Sequence, residues 1–143
     1  MKKLILFAAV LFLSSCVKEE YLEYPNRYFK TAEVLALPAL NYDPDNSAPD
    51  IRIDLKRRSA NEWEFSTYTE NNSSFLPTTT VFPSEILATD EMWEIRIVDE
   101  DLNEFQDDEI FYWEFQAYDE GANGDFEFYA DGNLIMVLNY NEK

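Results

Sequence analysis

Seven acidic residues fall within the eleven positions from Asp99 to Glu109, in the stretch IVDEDLNEFQDDEIF, and no lysine, arginine or histidine lies among them. Asp99 and Asp101 close one run of alternating apolar residues, and Asp107 and Asp108 open the next. A reversing loop between two strands would bring these carboxylates to the same end of a sheet. A second acidic stretch, NYDPDNSAPD from Asn41 to Asp50, also ends where an alternating run begins. If both loops share one end of the fold, roughly four to six carboxylates converge there, an inventory suited to calcium, which takes about six to eight oxygen ligands from flexible loops. Magnesium fits less well, because it demands a tighter octahedron and keeps its water. Without a cation, carboxylates held this close raise one another's pKa values and loosen the loops. The plainer account of the same acids is a solvated loop that keeps an acidic protein dispersed.

Other chemistries are narrowed by what is missing. The chain has no histidine and a single cysteine, Cys16. This removes Ser-His-Asp and Cys-His catalysis, most zinc sites and any internal disulfide. Paired acids such as Asp99 with Asp101, or Asp107 with Glu109, could serve glycoside hydrolysis only across a cleft that spaces them about 5–9.5 Å apart. Nothing in the sequence marks a proton donor or a substrate groove, so the expectation is a binding module and not an enzyme. The formal charge of -18 makes nucleic acid and anionic bilayers poor partners, because phosphates would meet a repulsive field. Cations and basic protein surfaces are better matched.

The elements that must position the acids are strands. Ile51, Ile53 and Leu55 alternate with Arg52, Asp54 and Lys56, and Trp93, Ile95 and Ile97 alternate with Glu94 and Arg96. The same period recurs through Trp63 and Phe65 between residues 62 and 69, through Phe111, Trp113 and Phe115 between 110 and 118, at Phe126 and Phe128, and from Leu134 to Tyr140. The tryptophans are expected in the core. Asp131-Gly132 is a two-residue hairpin signal, since both central positions of a type I′ turn need positive φ. One short helical turn is expected at Ser84 to Leu87, entered through Pro83. A chain of 143 residues with 46% hydrophobic content suits one domain. Seven or eight strands with long acidic connections predict an antiparallel β-sandwich.

The N-terminus carries a different message. Met1-Lys2-Lys3, the apolar run from Leu4 to Leu13, and Leu13-Ser14-Ser15-Cys16 resemble the bacterial lipoprotein signal with its lipobox cysteine. That resemblance implies a signal peptide at residues 1–15 and a mature chain that begins at Cys16, bearing a diacylglyceryl group and an amide-linked acyl chain such as palmitate. Three acyl chains make an effectively permanent anchor. Val17-Lys18-Glu19-Glu20 resembles the signal of a lysine and two acids that sends some lipoproteins to the outer face of the outer membrane, and the inner leaflet of that membrane is the alternative. Residues 16–26 then serve as a lipidated tether.

The acidic loops carry a second resemblance. Leu37-Pro38-Ala39-Leu40, the acids after it and Asp50 are similar to the first calcium loop of the C2 domain. Asp99, Asp101 and Asp107 reproduce the D-x-D-x5-D spacing of that family's third loop. The likeness covers roughly residues 28–115. It implies an all-β, antiparallel, eight-stranded C2-like sandwich over residues 27–143. It also implies calcium as the cofactor, with Asp99, Asp101, Asp107, Asp50 and one of Asp43 or Asp45 as ligands. The expected function is a membrane-anchored, non-catalytic calcium-binding interaction module. The alternative is a metal-free accessory subunit of an outer-membrane transport or assembly complex, docking a basic partner through its acidic face.

Overall fold

The computed structural model describes residues 25–38, 48–71, 73, 75–100, 107–118 and 124–143. Eight strands follow in chain order: β1 (Arg27–Val34), β2 (Ile51–Arg57), β3 (Phe65–Ser66), β4 (Thr78–Leu87), β5 (Met92–Asp99), β6 (Asp108–Gln116), β7 (Asp125–Ala130) and β8 (Asn133–Glu142). They form two four-stranded sheets, in the orders β4-β1-β8-β7 and β3-β2-β5-β6, and every pairing is antiparallel. This is the all-β, eight-stranded C2-like sandwich that the strand pattern and the loop resemblance predict.

The alternation decides which faces meet. Ile51, Ile53 and Leu55 of β2 and Trp93, Ile95 and Ile97 of β5 point inward and are fully buried or nearly so. Opposite them lie Phe29, Val34, Phe126, Met136 and Leu138 of the other sheet. Phe29 sits at the centre of an aromatic cluster, with ring centroids 5.3 Å from Trp93, 5.8 Å from Phe115 and 5.9 Å from Phe126. Trp93 is core as expected, and Trp113 packs against its edge. Trp63 is not in the core: it lies half-buried outside it, with the Arg96 guanidinium 4.4 Å and the Lys56 ammonium 5.2 Å from its ring centroid.

The expected helical turn at Ser84 to Leu87 is instead the end of β4. Pro83 is tolerated because β4 is the edge strand of its sheet, paired there with β1. Ile86 then points inward, paired with Phe29. The expected strand over residues 62–69 shortens to Phe65–Ser66, followed by a bridge from Glu70 to Ile51.

The hairpin at Asp131-Gly132 has φ of 50° and 78°, the left-handed pair that the sequence predicts. A Cβ at Gly132 would meet nothing within 4 Å, so its cost is conformational alone. Gly132→Ala is expected to lower unfolding stability by about 1 kcal/mol, measured by urea titration.

The pairings also give the sandwich two distinct ends. Val34, Ile51, Thr78, Asp99 and Asp108 lie at one of them, called the tip, where the β1–β2, β3–β4, β5–β6 and β7–β8 connections gather. Arg27, Arg57, Met92, Gln116 and Glu142 lie at the other, the base. Asn26 enters and Lys143 leaves at the base, joined by the Lys143 N–H donating to the Asn26 carbonyl at 2.9 Å.

Candidate functional site

Asp99 occupies the last inward-facing position of β5, two residues beyond Ile97, in register with Ile51. At the strand end this side chain meets a backbone N–H, so an acid can serve where an apolar residue would be expected. Its carboxylate is 1% exposed, and Oδ1 accepts the Asp50 backbone N–H at 2.7 Å. The Glu100 N–H in turn donates to the Asp50 carbonyl at 2.9 Å. The start of β2 and the end of β5 are thus fastened to each other by the two residues that sequence reading placed in separate loops. The β3–β4 connection joins them, with the Ser73 N–H donating to the Pro49 carbonyl at 2.9 Å.

Asp107 is brought to the same end but turned to a different side. It leans onto the outer flank of the β2–β5 sheet, where Arg52 Nη2 donates to Oδ2 at 2.5 Å. Arg52 also reaches Glu100 through Nη1 and Asp54 through Nε at 2.9 Å, so one guanidinium bridges three carboxylates. Thr69 donates its hydroxyl to the other oxygen of Glu100. No base is present from Asp99 to Glu109 itself; the compensation comes from the neighbouring strands β2 and β5.

Asp54 is the hub behind Arg52. Its side chain is 1% exposed although it points away from the core, because it is roofed by its own partners. Arg52 donates to Oδ1 at 2.9 Å, Ser66 to Oδ1 at 2.7 Å, and Arg96 to Oδ2 through Nη2 at 2.8 Å and Nε at 3.0 Å. Burial alone would raise the Asp54 carboxyl, but the hydrogen bonds from Arg52, Ser66 and Arg96 outweigh it and hold its pKa below the ordinary value. Burial likewise opposes the charge on Arg52, and Asp54 and Asp107 more than restore it, so its pKa is raised and it stays a cation throughout. Arg96 extends the chain of pairs to Glu109 at 3.8 Å.

Around this end the described acids include Asp50, Asp54, Asp99, Glu100, Asp107, Asp108 and Glu109, and the arginines paired with them are Arg52 and Arg96. A negative surplus therefore survives the ion pairs. All the side-chain donors are hard oxygens, the type that calcium takes. Among the described residues, however, no three acidic side chains are gathered closely enough to hold a metal by themselves. Asp43, Asp45 and Asp101, expected to complete the shell, lie outside the described residues, as does Cys16. The described donors are of the kind that calcium takes.

Sequence reading missed Arg52, whose role depends on register: β2 pairs with β5 so that Arg52 stands beside Val98, one step from the acidic run. It also missed the apolar side chains that the β3–β4 connection carries. Phe75 is 87% exposed and Tyr68 63%, with Leu76 beside them. Away from the tip, a cleft of about 220 Å3 opens between edge strands β3 and β4, walled by Phe65, Phe82, Pro83 and Ile86. It is smaller than typical small-molecule sites, which run from about 300 Å3. Its one acid, Glu64, is held by Arg57.

No protein-family model matches the chain, and no curated protein matches its sequence. Among solved structures it is similar to human GIVD cytosolic phospholipase A2 in complex with methyl gamma-linolenyl fluorophosphonate, at 18% identity and a TM-score of 0.51. That match covers 83% of this chain and 18% of the other. A second structure of human GIVD cytosolic phospholipase A2 matches at 20% identity and a TM-score of 0.45, over 83% of this chain and 16% of that one. The chain thus spans less than a fifth of the length of these proteins. What it shares with the first is the sandwich fold.

Proposed function

We propose that this protein is a membrane-anchored, surface-exposed lipoprotein whose C2-like sandwich is a non-catalytic calcium-binding interaction module. The observation that carries the reading is the 2.7 Å hydrogen bond from the Asp50 N–H to Asp99, because it puts the first and third acidic loops at one tip. Asp50, Asp99 and Asp107, with Asp101 and Asp43 or Asp45, would hold the ion. Bound calcium would supply positive charge where several carboxylates crowd, and so order the loops that carry them.

The two ends of the sandwich support an outward display. The chain enters at the base, and residues 17–26 between Cys16 and β1 span at most about 35 Å when fully extended. On this reading the anchor joins the sandwich at its base, the end opposite the tip and Phe75.

Melting curves test the reading. Extracellular calcium sites of this type have dissociation constants of about 0.1–1 mM. Calcium at a hundred times that constant stabilises the folded state by about 2.7 kcal/mol, or roughly 10 °C in a domain of this size. The expected result is a rise of that order in calcium relative to chelator, absent when Asp99 and Asp101 are both asparagine. Cys16→Ser should keep the rise and release the protein from membranes. Superimposable curves in calcium and chelator count against the site.

One observation favours a second reading, the metal-free accessory subunit: Arg52 already neutralises part of the cluster. On that reading the remaining acids and Phe75 dock a basic partner on an outer-membrane complex. It predicts no calcium effect on melting and salt-sensitive co-purification of the partner in detergent.

A further inference from the structure

We infer that the outer edge of β6 is a docking site for an extended segment of a partner protein, one that alternates basic with apolar residues and adds to the β3-β2-β5-β6 sheet as its outermost strand. Such docking needs no metal, so it stands apart from the calcium reading.

Four strands end the two sheets: β4 and β7 in one, β3 and β6 in the other. A sheet edge presents unpaired N–H and C=O groups, and folds usually blunt it. β3 is only two residues long. β4 carries Pro83, which has no N–H to offer, and its Val81 carbonyl accepts the Tyr68 N–H at 3.1 Å. On β7 the Tyr129 carbonyl accepts the Trp113 indole N–H at 3.0 Å. β6 differs. Among the described residues its main chain is bonded to β5 and to no other element. It contains no proline, glycine or lysine, and its register against β5 runs unbroken from Phe111 to Gln116. This is a long, regular template for a further strand.

The side chains on its two faces decide which strand fits. Phe111 and Trp113 pack against the core, stacked with ring centroids 5.2 Å apart, yet stay only half-buried at the rim. A strand laid beside β6 sets its own inward side chains against them, so those should be apolar. Glu114 is on the outer face, and with Asp108 and Glu109 it gives β6 three acids and no base. Arg58 meets Glu114 in an exposed ion pair, a kind that contributes little. Lysine or arginine at the outward positions of the added strand lies within cross-strand reach of Glu114. A second copy of this chain is the wrong occupant. Its own β6 would bring three more acids alongside, on a body of net charge -18. The acids thus oppose self-pairing and select a basic partner.

The test is amide hydrogen exchange of the full chain in non-ionic detergent, with and without a blocked peptide of alternating lysine and valine. At saturation every second β6 amide, those that point away from β5, should exchange about tenfold more slowly, because an edge amide open to water becomes a paired one. The same peptide with glutamate in place of lysine should leave β6 unchanged, since it lacks the charge. The lysine peptide methylated at every backbone nitrogen should also leave it unchanged, since it keeps the charge but has no donors. Glu114→Lys should melt like wild type and bind the lysine peptide about tenfold more weakly. Equal protection by the methylated peptide would reduce the contact to charge attraction and overturn the inference. Equal binding by Glu114→Lys, protection at β3, β4 or β7 in place of β6, or no protection by any peptide would overturn it too. So would β6 protection that rises with protein concentration in the absence of peptide, which would put a second copy on the edge.

Discussion

Phe29→Ala is expected to lower unfolding stability by about 4–5 kcal/mol, near the upper end of the range for removing a core aromatic residue. Phe29 has no exposed surface and belongs to β1, the strand bonded to both β4 and β8. Its ring meets Trp93, Phe115 and Phe126 edge-on, at interplanar angles of 84°, 65° and 73°. Each such pair is worth about 0.5–1.5 kcal/mol beyond area burial. The neighbours cannot collapse into the gap, because Trp93 and Phe115 are held by one sheet and Phe126 by the other. Chemical denaturation should show an earlier midpoint with an unchanged slope. A loss below about 2 kcal/mol would mean that the two sheets meet elsewhere.

Asp54→Asn is expected to cost about 3–5 kcal/mol, because removing one partner of a buried ion pair leaves the others uncompensated. Here the uncompensated groups are two arginines with side chains only 15% and 18% exposed. Glu100, Asp107 and Glu109 absorb some of that charge, which places the loss toward the lower end of the range. The pH dependence has a definite sign. A carboxylate whose pKa is lower folded than unfolded stabilises the fold above its unfolded value, about 3.9, and loses that contribution as pH falls toward the folded value. Asp54 is such a group. Wild type should therefore weaken steeply on acidification below about pH 4, and Asp54→Asn, already weakened at neutral pH, should do so less. Parallel acid titrations of the two proteins would show that Asp54 does not carry this dependence.

The fold was legible wherever alternation ran unbroken. β2, β5 and β6 read directly as strands, as did the β7–β8 hairpin, whose turn chemistry is local to Asp131 and Gly132. β1 and β4 were hidden for identifiable reasons. A bulge between Phe29 and Thr31 shifts the phase of β1, so Phe29 and Ala32, three residues apart, both face inward. β4 buries Thr80 beside Phe82 and Ile86, and carries Pro83, so neither its polarity nor its proline reads as a strand. Ser84 to Leu87 resembled a helix start because Pro83 suits both a first helical turn and an edge strand, and only the pairing with β1 distinguishes them.

The site was legible as charge but not as compensation. The acids from Asp99 to Glu109 announced a common location, and Asp50 and Asp99 do meet there. That Asp107 would find Arg52, fifty-five residues earlier in the chain, follows from strand register, which no local pattern encodes. Trp63 was expected in the core for a similar reason. Its alternation with charged residues is compatible with either face, and the arginine and lysine beneath it make the outer face favourable.

The most direct test of the central claim is a crystal structure of the protein grown in calcium chloride, with anomalous scattering used to locate the metal. The account predicts a calcium peak at the tip, bounded by Asp50, Asp99 and Asp107. An empty tip at saturating calcium would contradict it.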